Sequence, residues 1–150
     1  MKTILTLVSA IALIAASCND KTNSTIQPLS ATSFAETYKL VEPASKFEVS
    51  LVLTPDSTSS EITNRVAYKI GGRSSVNHYF GTLTGSSASR DVQISAIGAT
   101  KMAGPADAMQ FETDYFKKLQ AVKRYEVTGN RLKLFPEGGD TSALVYEKEK

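Results

Sequence analysis

His78 is the only histidine and Cys18 the only cysteine in a chain of 150 residues. Those two side chains bound the chemistry that could be built. Acyl transfer would need a serine activated by His78 with a carboxylate behind it, and serines are plentiful, so a triad can be written on paper. The surrounding "VNHYFG" nevertheless reads as a strand, where a lone histidine is ordinarily a surface or turn residue. No second histidine exists for a zinc site. A Gly-x-Ser-x-Gly elbow and a phosphate-cradling glycine loop are both missing, and the glycine pairs at 71–72 and 138–139 read as turn signals. The expectation is a protein that is not an enzyme and holds no cofactor or metal.

The elements that must position these residues are mostly strands. From about Phe34 the chain alternates: "KFEVSLVLT" places Phe47, Val49, Leu51 and Leu53 on one face, and "ITNRVAYKI" places Ile62, Val66, Tyr68 and Ile70 together, with Asn64 interrupting. "VNHYFGTLTG" and "RDVQISAIG" add two more strands, and "KRYEVTGNRLKLFPEGGDTSALVYE" reads as a meander with tight turns at "TGN" and "PEGGD". One segment departs from period two. After Pro105, the residues Ala108, Phe111, Tyr115, Leu119 and Val122 recur at spacings of three or four, Asp107 suits the start of a helix, and Lys117, Lys118, Lys123 and Arg124 gather toward its end. A helix of about 16 residues, about 24 Å long, would cross one face of a small sheet and close its core. Glu112 and Asp114 are expected on its solvated side. The predicted fold class is α+β, mainly β: an antiparallel β-barrel or sandwich of about seven or eight strands with one long α-helix packed against it.

The order "VNHYFGTLT", "TKMAGP", "AMQFETDYFKKL", "VKRYEVTGNRLKLF" and "ALVYE", with "ETYKLVE" as an opening strand, resembles the META domain family, also called HslJ-like. The resemblance runs over about residues 30 to 147. Relatives usually carry cysteine where this chain has Val76 and Gly104; if those cysteines pair or lie close together in relatives, losing both is coherent, and any redox role is lost here. Tyr38 replaces a usual tryptophan and His78 a common arginine. Two family-like segments supply Asn77, His78, Tyr79, Lys101 and Met102, which together form the candidate binding patch. Asn77 fits a turn-capping role as well as a binding role, and Met102, just ahead of a helix, is expected to fill core.

Residues 1–17 read as a lipoprotein signal peptide: Lys2 is followed by an apolar run from Ile4 to Ala16, thirteen positions, short of the roughly 20 that span a bilayer. "IAASC" resembles a bacterial lipobox, which makes Cys18 the lipidation site and the membrane a partner through its acyl chains. Residues 18–32, Ser/Thr-rich and broken by Pro28, form a flexible tether to a META/HslJ-like domain at 33–150. Loss of Lys2 with the leader leaves 16 of 17 basic residues against 15 acidic ones, which offers no block for nucleic acid. The expectation is a lipid-anchored envelope protein, on the outer membrane at its periplasmic or surface face, with a non-enzymatic binding or stress-response role. The family resemblance implies the stress setting, since some relatives are tied to heat-shock induction, novobiocin tolerance or virulence. Two alternatives remain. One is a lipocalin-like carrier of a small apolar ligand, with Phe80, Leu83 and Phe111 lining a cavity. The other is an inhibitor of a secreted hydrolase, presenting "GGRSSVNHY" as a rigid loop. Besides the membrane, the partners expected are an envelope protein or a small apolar ligand.

Overall fold

A computed structural model describes residues 36–57, 64–139 and 142–150. The expected signal peptide, Cys18 and the tether lie outside the described residues. Among those described, the order is β1 (Glu36–Glu42), β2 (Ser50–Pro55), β3 (Arg65–Ser74), β4 (Asn77–Ser86), β5 (Val92–Ile94), β6 (Gly98–Ala99), α1 (Ala106–Gln120), β7 (Val122–Thr128), β8 (Arg131–Pro136) and β9 (Leu144–Lys148). Neighbours pair antiparallel along β5-β4-β3-β2-β1-β9-β8-β7, with β6 added on β4. The two ends of that path meet where Asp91 bridges Arg124 and the Tyr125 N–H donates to the Arg90 carbonyl at 3.0 Å. The sheet is thus a nearly closed eight-stranded barrel, and the choice between barrel and sandwich is settled.

Alternation sorts side chains across the wall. Tyr38, Leu51, Leu53, Val66, Tyr68, Ile70, Tyr79, Leu83, Tyr125, Leu132, Leu134 and Tyr146 are buried in one core cluster. All six tyrosines of the chain are buried, and the chain has no tryptophan. The phase of β7 shifts once, at a bulge between Val122 and Arg124, which turns both Val122 and Tyr125 inward. Val122, expected on the helix, therefore opens the next strand.

Helix α1 packs into this interior through Ala108, Glu112, Tyr115 and Leu119, spaced by four, three and four. Pro105 is its N-cap, and Asp107 in its first turn pairs with Lys46 at 2.5 Å. Leu119 is fully buried, and a side chain of that size contributes about 1.5–3 kcal/mol. Phe111 lies at the edge of the stripe, half-buried, with its ring 5.1 Å from that of Phe47.

Gly71 and Gly72, expected to break the chain, are interior positions of β3. A Cβ on Gly72 would stand 2.0 Å from the Ser50 carbonyl oxygen and 3.2 Å from the Tyr79 ring. Glycine is there because two strands approach too closely for any side chain, which is its other use within a sheet. The β3–β4 hairpin turns through Ser75 and Val76, so "GGRSSVNHY" is two paired strands and projects no loop. Ser75, at φ 50°, donates its hydroxyl to the Ala108 carbonyl and fastens the turn to α1. Gly138 and Gly139 do form a turn, at φ 114° and 111°.

Candidate functional site

Asn77 begins β4 and is only 1% exposed. Its backbone N–H donates to Glu112 Oε2 at 2.9 Å, and its Nδ2 donates to Glu112 Oε1 at 2.8 Å and to the Met102 carbonyl at 3.3 Å. Its Oδ1 accepts from Thr100 Oγ1 and from the Met102 N–H, both at 2.8 Å. An asparagine side chain has two donors and two acceptor sites, and here all four are engaged. The Met102 N–H also fixes which end of the amide is oxygen. Asn77 therefore clasps three segments: its own hairpin, the stretch after β6, and α1.

Glu112, expected in solvent, is 5% exposed and forms the helix side of this clasp. Its place among Ala108, Tyr115 and Leu119 was visible in the spacing, since residue 112 falls on the same face. The charge of its side chain hid it. The signal that could have found it is a carboxylate centred in an apolar stripe, which needs donors from outside the helix.

A second polar line runs beside the clasp. The Tyr79 hydroxyl lies 2.8 Å from the Ser50 carbonyl and 2.9 Å from the Tyr115 hydroxyl, which is 3.1 Å from that of Tyr146. Three elements, β4, α1 and β9, are joined by hydroxyls inside the core. Burial pushes all three phenols well above their ordinary pKa, so they are neutral donors and acceptors across the physiological range. Tyr38 and Tyr68 are pushed up to about 12, again chiefly by burial. Ser74, on β3, has the one buried side-chain oxygen without a hydrogen-bond partner among the described residues.

The five patch residues divide by burial. Asn77 and Tyr79 point inward and are spent on the fold, whereas His78, Lys101 and Met102 are exposed. Met102, expected in the core, is 48% exposed because its backbone serves the clasp while its side chain leaves the barrel. Phe80 follows His78 on the outer face and is 64% exposed. Phe80, Leu83 and Phe111 do not line one cavity: Leu83 is inside the barrel, Phe80 outside it, and Phe111 on α1, half-buried against Phe47. Two of the clefts among the described residues are sizeable. An open hollow of about 680 Å³ lies between β5 and the β3–β4 strand ends, lined by Arg65, Ser86, Asp91 and Lys123 among others. A narrower one of about 270 Å³ lies between α1 and the segment after β1, lined by Leu40, Pro43, Phe111, Asp114 and Lys118.

A model of the META domain matches residues 31–149. The chain belongs to the META domain family. A solved structure, described as the NMR structure of the protein from Burkholderia xenovorans, aligns with a TM-score of 0.56 over 98% of this chain and 99% of its own, at 15% identity. At that identity the likeness is one of fold. No curated protein matches the chain. In this META domain the two positions where the resemblance implied cysteines are in contact: a Cβ on Gly104 would lie 2.5 Å from a Val76 methyl carbon and 3.4 Å from the Val76 Cβ. Valine's bulk against glycine fills the space that such a pair would share.

Proposed function

We propose that this META domain is a non-enzymatic binding module held at the bacterial cell envelope by lipid on Cys18, with a role in stress response. The observation that carries the binding reading is the division of the patch. Asn77 and Tyr79 have their polar atoms engaged inside the protein, while His78, Phe80, Lys101 and Met102 stand on its surface. Groups already saturated by the fold have nothing left for a reacting substrate, and exposed large apolar side chains beside charges suit contact. Anchoring rests on the sequence "AASC" and its preceding apolar run. Native mass spectrometry of protein released from its own envelope, compared with a Cys18→Ser form, tests both parts. Acyl mass on Cys18 and additional mass retained by the folded domain are the expected results. A free thiol at Cys18 would remove the anchor, and a phenotype abolished by His78→Ala without loss of fold or binding would return the enzyme reading.

A further inference from the structure

Cross-strand register sets Val52, Gly71, Phe80 and Gly98 in one row across the outside of β2, β3, β4 and β6. The Phe80 ring lies on Gly98, where an added Cβ would come within 2.5 Å of two ring carbons, and its other face is open. Covering a sheet glycine with an aromatic ring is a structural service by itself. It does not account for the charges around it. Lys69 and Arg73 stand exposed on β3 to either side of the row, and Lys101 is exposed just past β6 beside Met102. Among the described residues none of these three cations has an ion pair, whereas Lys39, Lys46, Arg131 and Lys148 elsewhere are paired with Glu48, Asp107, Glu147 and Glu36. Between Ile62 and Ala106 the sequence has Arg65, Lys69, Arg73, Arg90 and Lys101 against a single carboxylate, Asp91. Asp91 is at the β5 edge, bridged to Arg124, away from this row.

We propose that this face docks on an anionic lipid surface, with Phe80 and Met102 against the acyl boundary and Lys69, Arg73 and Lys101 on headgroup phosphates. Apolar side chains framed by unpaired cations match an interface where phosphate and hydrocarbon lie within one layer. The inference deepens the envelope reading above and rests on it for geometry. Residues 18 to 35 separate the anchor from β1, and at about 3.3–3.6 Å per extended residue they reach about 60 Å, enough to present any face of a small domain to the bilayer.

Because the chain has no tryptophan, Phe80→Trp in the Cys18→Ser chain makes residue 80 the sole indole reporter. It is titrated with phosphatidylglycerol-rich vesicles and with pure phosphatidylcholine vesicles. A blue shift with the anionic vesicles alone is expected, weakened about fivefold each by Arg73→Gln and Lys101→Gln, lost at high salt, and unchanged by Lys133→Gln on β8. Flotation of the Cys18→Ser chain with its native Phe80 repeats the measurement without the new ring. Emission and flotation unaltered by anionic vesicles would overturn the proposal, as would equal binding to soluble polyglutamate, which would assign the face to an acidic protein. Acyl mass on Cys18 is read separately, so a failed docking test leaves the anchoring reading standing, and a missing acyl group leaves the docking result interpretable.

Discussion

The two faces of β4 carry opposite kinds of chemistry within ten residues. Asn77, Tyr79 and Leu83 point inward, and every polar side-chain atom among them is hydrogen-bonded to another element. His78 and Phe80 point outward, and the ring of Phe80 is mostly bare. A residue's type therefore says less about its role than the parity of its position on the strand. Asparagine and tyrosine, the more obvious ligand-binding types, hold the fold, and phenylalanine, an ordinary core residue, is on the surface.

That division can be broken first at the clasp. Asn77→Ala strands Oε1 of a buried Glu112, the Thr100 hydroxyl and the Met102 N–H and carbonyl, leaving only the backbone N–H of residue 77 on Oε2, and a loss of about 3–5 kcal/mol is expected in urea unfolding, with Glu112→Ala close behind. A cost below about 1 kcal/mol would mean that water replaces the clasp. Gly72→Ala puts a carbon into the Ser50 carbonyl and should cost about 3 kcal/mol, because the contact is with Ser50 backbone and the buried Tyr79 ring stands close by. Val76→Cys with Gly104→Cys tests the same corner with the opposite sign. Their Cβ separation is near that of a disulfide, and oxidation should raise stability by about 2–4 kcal/mol, read as a shift in midpoint on adding reductant.

Alkali sharpens the contrast without mutation. Tyr38 and Tyr68 are pushed up to about 12, above the value of about 10 for an unfolded tyrosine. The folded state keeps protons that the unfolded chain releases, so this contribution is complete below about pH 10 and is lost as pH rises toward 12. Tyrosinate absorbance should therefore appear together with unfolding, and phenols titrating near pH 10 with the fold intact would contradict their burial. The smallest effect is expected at Ser74→Ala. Removing a buried hydroxyl with no partner should leave stability unchanged or raise it by up to about 1 kcal/mol.

Much of the architecture was legible from period alone. The alternation through Val49, Leu51 and Leu53, and through Val66, Tyr68 and Ile70, put the right side chains inside, and the three-four spacing after Pro105 located α1 to within two residues of its end. Local patterns failed where the reason was distant in sequence. Glu112 is buried because Asn77, 35 residues earlier, offers it two donors. Gly71 and Gly72 are strand residues because Ser50 and Tyr79 crowd them from either side. The two-residue β6 has too few residues to show any period, so its pairing with Tyr79 and Phe80, which creates the outer platform, had no signal to read. Of the candidate patch, Asn77 and Tyr79 face the interior, and His78, Lys101 and Met102 face solvent.

Urea unfolding of Asn77→Ala beside a Phe80→Ser, Met102→Ser double variant tests the central division most directly. The account predicts a large fall in midpoint for Asn77→Ala, and a double variant within about 1 kcal/mol of the parent, its main cost being the cover that Phe80 gives Gly98. A double variant as unstable as Asn77→Ala would show that the outer face is part of the fold, and would contradict its assignment as a surface kept for contact.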